Sequence, residues 1–278
     1  MAAPTEVEKR IKYTTSLNAM AAIVMNWYGS LITSNEQVTF VATEKQWDDY
    51  RSQYPENITQ IQITSTDLIR LDTPNQYQFM VESLMRYHKA GGEHSQQSSD
   101  IFIFQVDALT KPIIKTISRK SLEKTTSEKE TLEQIVAFNR SHYKVREFAY
   151  SWLAYLDGVE VLPSEINMRE WTKQANYMMK IGGKKIEGSV DSVLNQRKQY
   201  LAKGGHLLRS LDVEHKPGTK VVDLILEWKG VNQAGKPVLA KIHQKIEYQI
   251  EDNQSWRVIS IKEEHLLPDI APWVGLLC

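Results

Sequence analysis

The spacing of hydrophobic positions changes from helical to strand-like twice along this chain. In residues 17–31 apolar side chains recur every three or four positions, which predicts an amphipathic helix. The same spacing in residues 148–156 predicts a helix that ends at Asp157-Gly158, since glycine is a common C-terminal stop. After residues 57 and 206 the period falls to two, which is typical of half-buried strands. Each half is therefore predicted to be α+β, with helices packed on a mostly antiparallel sheet.

The C-terminal half has the clearer pattern, with three predicted helices before four strands. The second helix opens near Pro163 and carries Trp171, and the third runs from the N-cap residue Ser189 to Gly204-Gly205. We expect the glycines between residues 182 and 188 to lie in a loop that joins these two helices. Alternating residues from 207 to 265 then predict four strands.

The two halves repeat each other in the spacing of their tryptophans. Trp47 follows Trp27 by 20 positions, and Trp171 follows Trp152 by 19. An internal repeat of this kind predicts two related domains in one chain. We therefore expect Trp27 to superpose on Trp152 and Trp47 on Trp171.

The N-terminal copy is shorter than the C-terminal copy. Residues 57–64 resemble residues 206–213, but they begin 10 positions after the second tryptophan of their copy rather than 35. About 25 residues are missing, and we interpret them as the third helix. The predicted organisation is a degenerate domain over residues 1–122, a helical linker over residues 123–143, and a complete domain with a C-terminal tail over residues 144–278.

Charge and composition argue against several classes of protein. Thirty-four basic and 34 acidic side chains give a formal net charge of zero, whereas nucleic-acid-binding proteins normally carry a basic excess. The single cysteine, Cys278, can form neither an internal disulfide nor a cysteine-based zinc site. Residues 17–32 are too short and too polar to span a bilayer. We expect a cytoplasmic protein with no nucleic-acid or membrane partner.

The order of elements in residues 143–267 resembles the nuclear transport factor 2-like superfamily, in its polyketide-cyclase-like branch. The resemblance rests on the segment 152–158, the turn Ile181-Gly-Gly183, Gly205-His206 at the start of a long strand, and the closing segment 256–261. It implies two cystatin-like cone domains, each with helices packed on a curved sheet around an apolar pocket. It leaves the function open, because the superfamily contains isomerases, cyclases, hydrolases, dehydratases and assembly modules.

His206 and Asp157 are the candidate catalytic residues. The resemblance implies a histidine at the start of the long strand, and an imidazole can act as acid or base near neutral pH. Asp157 ends the first helix, where the pocket mouth of the superfamily lies. The structural alternative is that His206 bonds a helix end and Asp157 is a solvated acid before a glycine turn. The matching positions of the first copy hold Asn57 and Ile32, so neither candidate is repeated there.

Six further residues are candidates for lining a ligand pocket in the second domain. They are Trp152, Trp171, Arg209, Trp228, Gln244 and Tyr248. Gln244 interrupts an apolar strand face, and a buried amide requires partners from either a ligand or a neighbouring strand. Arg209 shares its predicted face with apolar residues, so it either meets an anionic ligand or extends to solvent. The aromatic side chains either line the pocket or form the core.

Two functional hypotheses follow, and neither requires a cofactor. No histidine spacing predicts a metal site and no phosphate loop follows a strand, so we expect neither a metal nor a cofactor. The first hypothesis is a small-molecule-binding or protein-interaction protein with an apolar pocket in the second domain. The second is a cofactor-free acid–base enzyme of isomerase, cyclase or dehydratase type that acts on a small hydrophobic molecule. The resemblance also implies an intramolecular pseudo-dimer, and leaves a homo-oligomer open.

Overall fold

The described residues form two compact units. The computed structural model describes residues 6–32, 44–89, 92–106, 112–122, 140–159, 168–216, 218–250 and 256–266. Within these ranges, the unit that we name the C-terminal unit contains residues 6–18, 149–159 and 168–266. The N-terminal unit contains the described residues from 19 to 148.

The N-terminal unit consists of helices and a four-stranded antiparallel sheet. Helix α1 spans Glu6–Ile32, so it contains the predicted segment 17–31 but begins well before it, and its residues 19–32 belong to this unit. Helix α2 spans Glu44–Arg51. The strands are adjacent in chain order, β1 (Ile58–Arg70), β2 (Gln76–Lys89), β3 (Gly92–Val106) and β4 (Pro112–Leu122). Alternate residues of β2 are buried, so the sheet has one core face. Phe102 on that face contacts the rings of Trp27 and Tyr28 on α1.

The C-terminal unit contains shorter helices and a six-stranded sheet. Helix α3 spans Arg140–Leu156 and belongs to this unit from residue 149, helix α4 spans Met168–Thr172 and helix α5 Val190–Arg197. The strands are β5 (Asn176–Ile181), β6 (Lys184–Ser189), β7 (Lys203–Lys216), β8 (Thr219–Val231), β9 (Pro237–Ile250) and β10 (Trp256–His265). Their order in the sheet is β6-β5-β10-β9-β8-β7, and β5 pairs parallel to β10 while the other neighbours are antiparallel. The predicted α+β class is confirmed.

The prediction for residues 176–189 is wrong. Gly182 and Gly183 form the turn of the β5–β6 hairpin, with φ of 53° and 76°, rather than a loop between helices. Ser189 ends β6 and, as predicted, caps the next helix by accepting a hydrogen bond from the backbone of Ser192. The N-terminal unit passes from α2 directly to β1. In the described residues between α2 and β1 it therefore has neither the β5–β6 hairpin nor the third helix, whereas the sequence predicted the loss of the helix alone.

The tryptophans of the repeat occupy matching kinds of element. Trp27 and Trp152 are fully buried on the long helices α1 and α3. Trp47 and Trp171 are half-buried on the short helices α2 and α4. The tandem arrangement that the spacing predicted is therefore visible in the order of elements.

Two glycines expected to end a helix lie instead inside β7, where neighbouring groups leave no room for a side chain. A Cβ on Gly204 would lie 2.3 Å from the ring of Trp228. A Cβ on Gly205 would lie 2.7 Å from the Cβ of Thr14 on α1. Helix α5 ends at Arg197, six residues before β7 begins. These glycines therefore serve close packing on either side of His206's strand.

The predicted linker falls largely outside the described residues. Helix α3 begins at Arg140, and residues 123–139 are not described, so the limits 1–122, 123–143 and 144–278 stay predictions. No helix in the described ranges combines the length and the hydropathy that crossing a membrane requires.

Candidate active site

Asp157 and His206 form a buried pair in the C-terminal unit. Asp157 follows the last turn of α3, where its backbone N–H still bonds the carbonyl of Leu153 at 3.0 Å. His206 lies near the start of β7 and pairs with Trp228 of β8. The Asp157 Oδ1 and His206 Nδ1 atoms are 2.5 Å apart, and both side chains are 0% exposed. The second carboxylate oxygen accepts the backbone N–H of His206 at 3.1 Å.

The other ring nitrogen of His206 fixes the tautomer. Its Nε2 lies 2.8 Å from an Nη2 of Arg197 on α5. A guanidinium can only donate hydrogen bonds, so Nε2 accepts and carries no proton. The ring proton is therefore on Nδ1 and is donated to Asp157. Such a histidine has the arrangement of a base that a carboxylate orients.

Glu263 on β10 holds the buried cation in place. Its Oε1 accepts from Arg197 Nε at 2.9 Å and lies 2.7 Å from His265 Nε2. Its Oε2 accepts from Tyr177 and Gln244, both at 2.5 Å. All of these side chains are buried, so four donors converge on one carboxylate away from solvent.

Electrostatics in this cluster follow from burial and from the ion pair. Burial acts to raise the pKa of Glu263, but Arg197, His265 and the other donors hold it well below its usual range. Burial acts to lower the pKa of Arg197, and Glu263 reverses this and raises it. Burial, together with the charge of Glu263, raises the pKa of the Tyr177 hydroxyl. Glu263 and Arg197 are therefore charged, and Tyr177 is neutral, at neutral pH.

Asn18 of α1 also contacts the pair. Its amide nitrogen donates to Asp157 Oδ2 at 3.2 Å and to the backbone carbonyl of His206 at 2.8 Å. It is 1% exposed and belongs to the C-terminal unit. Both atoms that it contacts are acceptors, so the amide can face them only with its nitrogen.

The remaining predicted residues divide between the polar cluster and the core. Trp152 and Gln244 belong to the cluster, because the indole N–H donates to Gln244 Oε1 at 3.0 Å. Tyr248 is buried and stacks on Trp256 at 4.5 Å between ring centroids, and Trp171 also stacks on Trp256, at 6.0 Å. Trp228 is buried between the glycines of β7 and β8.

Arg209 does not point into the unit, contrary to the expected shared face. A β-bulge between Leu208 and Ser210 shifts the strand register at this position. The Arg209 side chain is 51% exposed and forms an ion pair with Glu227 of β8. It therefore extends to solvent, which was the alternative that the sequence left open.

Sequence reasoning missed the charged partners of the pair. Arg197 stands on the apolar stripe of its helix, and an arginine among buried positions is a signal of a paired cation. Glu263 stands in a strand whose Trp256 and Val258 face the core, but it has the opposite parity. A bulge between Val258 and Ser260 brings it inward. Within the described residues, no group of three or more His, Cys, Asp or Glu side chains is arranged to hold a metal ion.

The N-terminal unit contains a related buried cluster without a histidine. Asp100 of β3 lies opposite Arg119 of β4, with Oδ1 and Nε 3.9 Å apart. Asp100 Oδ2 accepts from the hydroxyl of Tyr28 at 2.6 Å. The guanidinium lies 4.4 Å from the ring centroid of Tyr54, whose hydroxyl accepts the indole N–H of Trp27 at 3.2 Å. Burial raises the pKa of Asp100 despite these contacts.

Asn57 is not equivalent to His206 in environment. It is exposed, precedes β1 and has a left-handed backbone with φ of 53°. It also helps to line a surface pocket of about 570 Å³ with Pro55, Glu56, Tyr87, His88 and Lys89. A second pocket, of about 350 Å³, lies beside the first turn of α5 and is lined mainly by charged and polar residues. None of the six predicted pocket residues lines either of these two pockets.

Comparison with known proteins yields similarity in structure alone. No protein-family model and no curated protein matches the chain. A hexachlorocyclohexane dehydrochlorinase, LinA-type3 from Novosphingobium barchaimii LL02, is 14% identical, with 50% of this chain and 92% of that chain covered and a TM-score of 0.37. A nuclear transport factor 2-like protein with a cystatin-like fold from Novosphingobium aromaticivorans is 13% identical, with coverage of 45% and 81% and a TM-score of 0.34. Mtr2 from Candida albicans is 19% identical, with coverage of 46% and 97% and a TM-score of 0.32.

Each of these proteins covers about half of the chain. At these identities the likeness concerns the fold and carries nothing about chemistry. Nuclear transport factor 2-like proteins are thus among the solved structures to which the chain is similar.

Proposed function

We propose that the C-terminal unit is a cofactor-free acid–base enzyme of isomerase, cyclase or dehydratase type, with His206 as its base. The observation that supports this most is the 2.5 Å contact between Asp157 Oδ1 and His206 Nδ1. A carboxylate in this position holds the imidazole in one tautomer and stabilises the imidazolium that forms when Nε2 takes a proton. The proposed substrate is a small hydrophobic molecule that bears a carbonyl group.

Arg197 supplies the second part of the proposed chemistry. When His206 Nε2 takes a proton from the carbon next to a carbonyl, the electrons of the broken C–H bond move onto the carbonyl oxygen. A guanidinium fixed beside Nε2 stabilises that negative charge in a buried site. Glu263 keeps the guanidinium oriented through the 2.9 Å contact with its Nε. The 2.8 Å contact between Arg197 and Nε2 must open for substrate to enter.

The direct test is exchange of carbon-bound hydrogen with solvent. The full chain is incubated in D₂O with a panel of apolar ketones, and deuterium incorporation next to the carbonyl is followed by mass spectrometry. A matched control is His243→Asn, because His243 also pairs with a carboxylate, Asp223, at 2.6 Å but lies partly exposed on the sheet. We expect His206→Asn to lower the exchange rate by about 10²–10⁴-fold and His243→Asn to leave it unchanged. Equal rates in wild type and His206→Asn would contradict the proposal.

A binding or interaction protein is the second candidate, and one observation favours it. Both ring nitrogens of His206 already have protein partners, and the side chain is 0% exposed. A structural histidine has this environment as well. Stability alone does not separate the candidates, because His206→Asn also removes an acceptor from buried Arg197. On the binding hypothesis, the substitution lowers the melting temperature and leaves deuterium incorporation unchanged.

A further inference from the structure

Helix α1 packs against strand β7 beside the candidate pair. Gly205 is the residue before His206, and a side chain there would place its Cβ only 2.7 Å from the Cβ of Thr14. Asn18 follows Thr14 by four positions, so both lie on the same face of α1. Close packing at Gly205 therefore determines where the amide of Asn18 is placed.

One amide nitrogen of Asn18 bridges the acid and the base. It donates to Asp157 Oδ2 and to the His206 carbonyl, while the His206 backbone N–H donates to the same Oδ2. Asp157 Oδ2 is occupied in this way, which leaves Oδ1 directed at Nδ1 of the imidazole. A buried carboxylate that is held by two neutral donors cannot rotate without losing both.

We propose that Asn18 is a positioning residue for the Asp157–His206 pair, so that the N-terminal part of α1 completes the site of the C-terminal unit to which it belongs. The contribution of Asn18 to catalysis rests on the proposed function, whereas its effect on the geometry of the pair does not. The residue acts through Asp157 and contacts neither ring nitrogen of His206. A domain that begins at residue 144 would lack this residue. The N-terminal part of α1 therefore has a role in the site beyond supporting the fold.

The matched control is on the same helix. Asn26 donates from its amide to Glu147 Oε1 at 2.7 Å, so Asn26→Ala also removes an amide-to-carboxylate hydrogen bond from α1. That bond belongs to the N-terminal unit. Asn18→Asp is nearly isosteric with asparagine and keeps the packed volume, in case Asn18→Ala fails to fold. It replaces the donor with a second carboxylate facing Asp157.

The experiment uses the full chain labelled with ¹⁵N-histidine and needs no substrate. The Nδ1-bound proton of His206 is identified by its loss in His206→Gln, and its exchange with water is measured. We expect Asn26→Ala to match wild type, and Asn18→Ala and Asn18→Asp to raise the exchange rate by about tenfold or more, since a hydrogen bond to a charged group is worth roughly 1.5–3 kcal/mol. An unchanged resonance and rate in either folded Asn18 variant would overturn the proposal. Failure of the deuterium-incorporation test with a positive result here would remove the enzyme and retain Asn18 as a positioning residue.

Discussion

The two units contain buried clusters assembled from the same kinds of residue. In each, an indole N–H from the long helix enters the cluster, a tyrosine hydroxyl donates to a carboxylate, and an arginine accompanies that carboxylate. The carboxylates are Asp100 in the N-terminal unit and Glu263 in the C-terminal unit. Among the described residues, only the second cluster continues, through Arg197, to a histidine and a further acid. Arg197 comes from α5, His206 from β7 and Asp157 from the end of α3, and α5 belongs to the segment that is absent between α2 and β1 in the described residues of the N-terminal unit.

The two ion pairs differ in the distance between their charged atoms, and the pKa values of their acids are shifted in opposite directions. Arg197 Nε is 2.9 Å from Glu263, whereas Arg119 Nε is 3.9 Å from Asp100. Asp100 Oδ1 and the Nε and Nη1 atoms of Arg119 have no hydrogen-bond partner among the described residues. Burial consequently dominates at Asp100 and raises its pKa, whereas close donors dominate at Glu263 and lower its pKa. A shared set of residue types therefore gives a tightly held ion pair only where the geometry is close.

The largest difference is expected from neutralising each acid in turn. Glu263→Gln leaves the cation of Arg197 buried without its counter-charge, and we expect a loss of about 3–5 kcal/mol in the free energy of unfolding. Asp100→Asn keeps an oxygen for Tyr28 and removes a weakly paired acid, so we expect a change of less than about 1 kcal/mol. Urea unfolding at pH 7 measures both. Equal losses in the two variants would show that the clusters do not differ as described.

A change of pH is expected to alter the stability contributions of the two acids in opposite directions, by less than the substitutions do. The folded pKa of Glu263 is lowered, so its contribution to stability is present above its ordinary value of 4.5 and is lost as pH falls below it. The folded pKa of Asp100 is raised, so its contribution is present below 3.8 and is lost as pH rises through the folded value.

Unfolding free energies measured from pH 3 to pH 7 therefore distinguish the two acids. The deficit of Glu263→Gln relative to wild type should shrink as pH falls. Asp100→Asn should gain on wild type as pH rises. A deficit of Glu263→Gln that is constant over this range would mean that the carboxylate is not held ionised by its donors.

Sequence alone predicted the acid and the base of the pair but not what surrounds them. Asp157 was found because a helix pattern ends there, and His206 because a strand pattern begins there. The same reasoning was wrong about the faces of two strands that contain β-bulges. The bulge after Leu208 separates Arg209 from the face of Leu211 and Val213, and the bulge after Val258 brings Glu263 inward. A single inserted residue reverses which face a side chain occupies, and the alternation of apolar residues does not record it.

The sequence also failed to predict the role of Asn18 and the strand β6, for two different reasons. Asn18 lies 188 positions before His206, and no spacing rule connects residues that far apart. The β6 strand, Lys-Lys-Ile-Glu-Gly-Ser, is short, polar and at the edge of the sheet. Edge strands are commonly short and charged, so it has no clear alternation to detect. The fold class and the tandem order depend on long periodic segments, and these were predicted correctly.

The protonation of His206 in the resting protein tests most directly the claim that the C-terminal cluster, unlike the N-terminal one, ends in a base. The ¹⁵N shifts of its two ring nitrogens, recorded at pH 7 on the full chain and assigned with His206→Gln, report which nitrogen carries the proton. We predict a single neutral tautomer, with the proton on Nδ1 and a hydrogen-bonded lone pair on Nε2. A proton on Nε2, in either the other tautomer or an imidazolium, would contradict the account, because no base would then face Arg197.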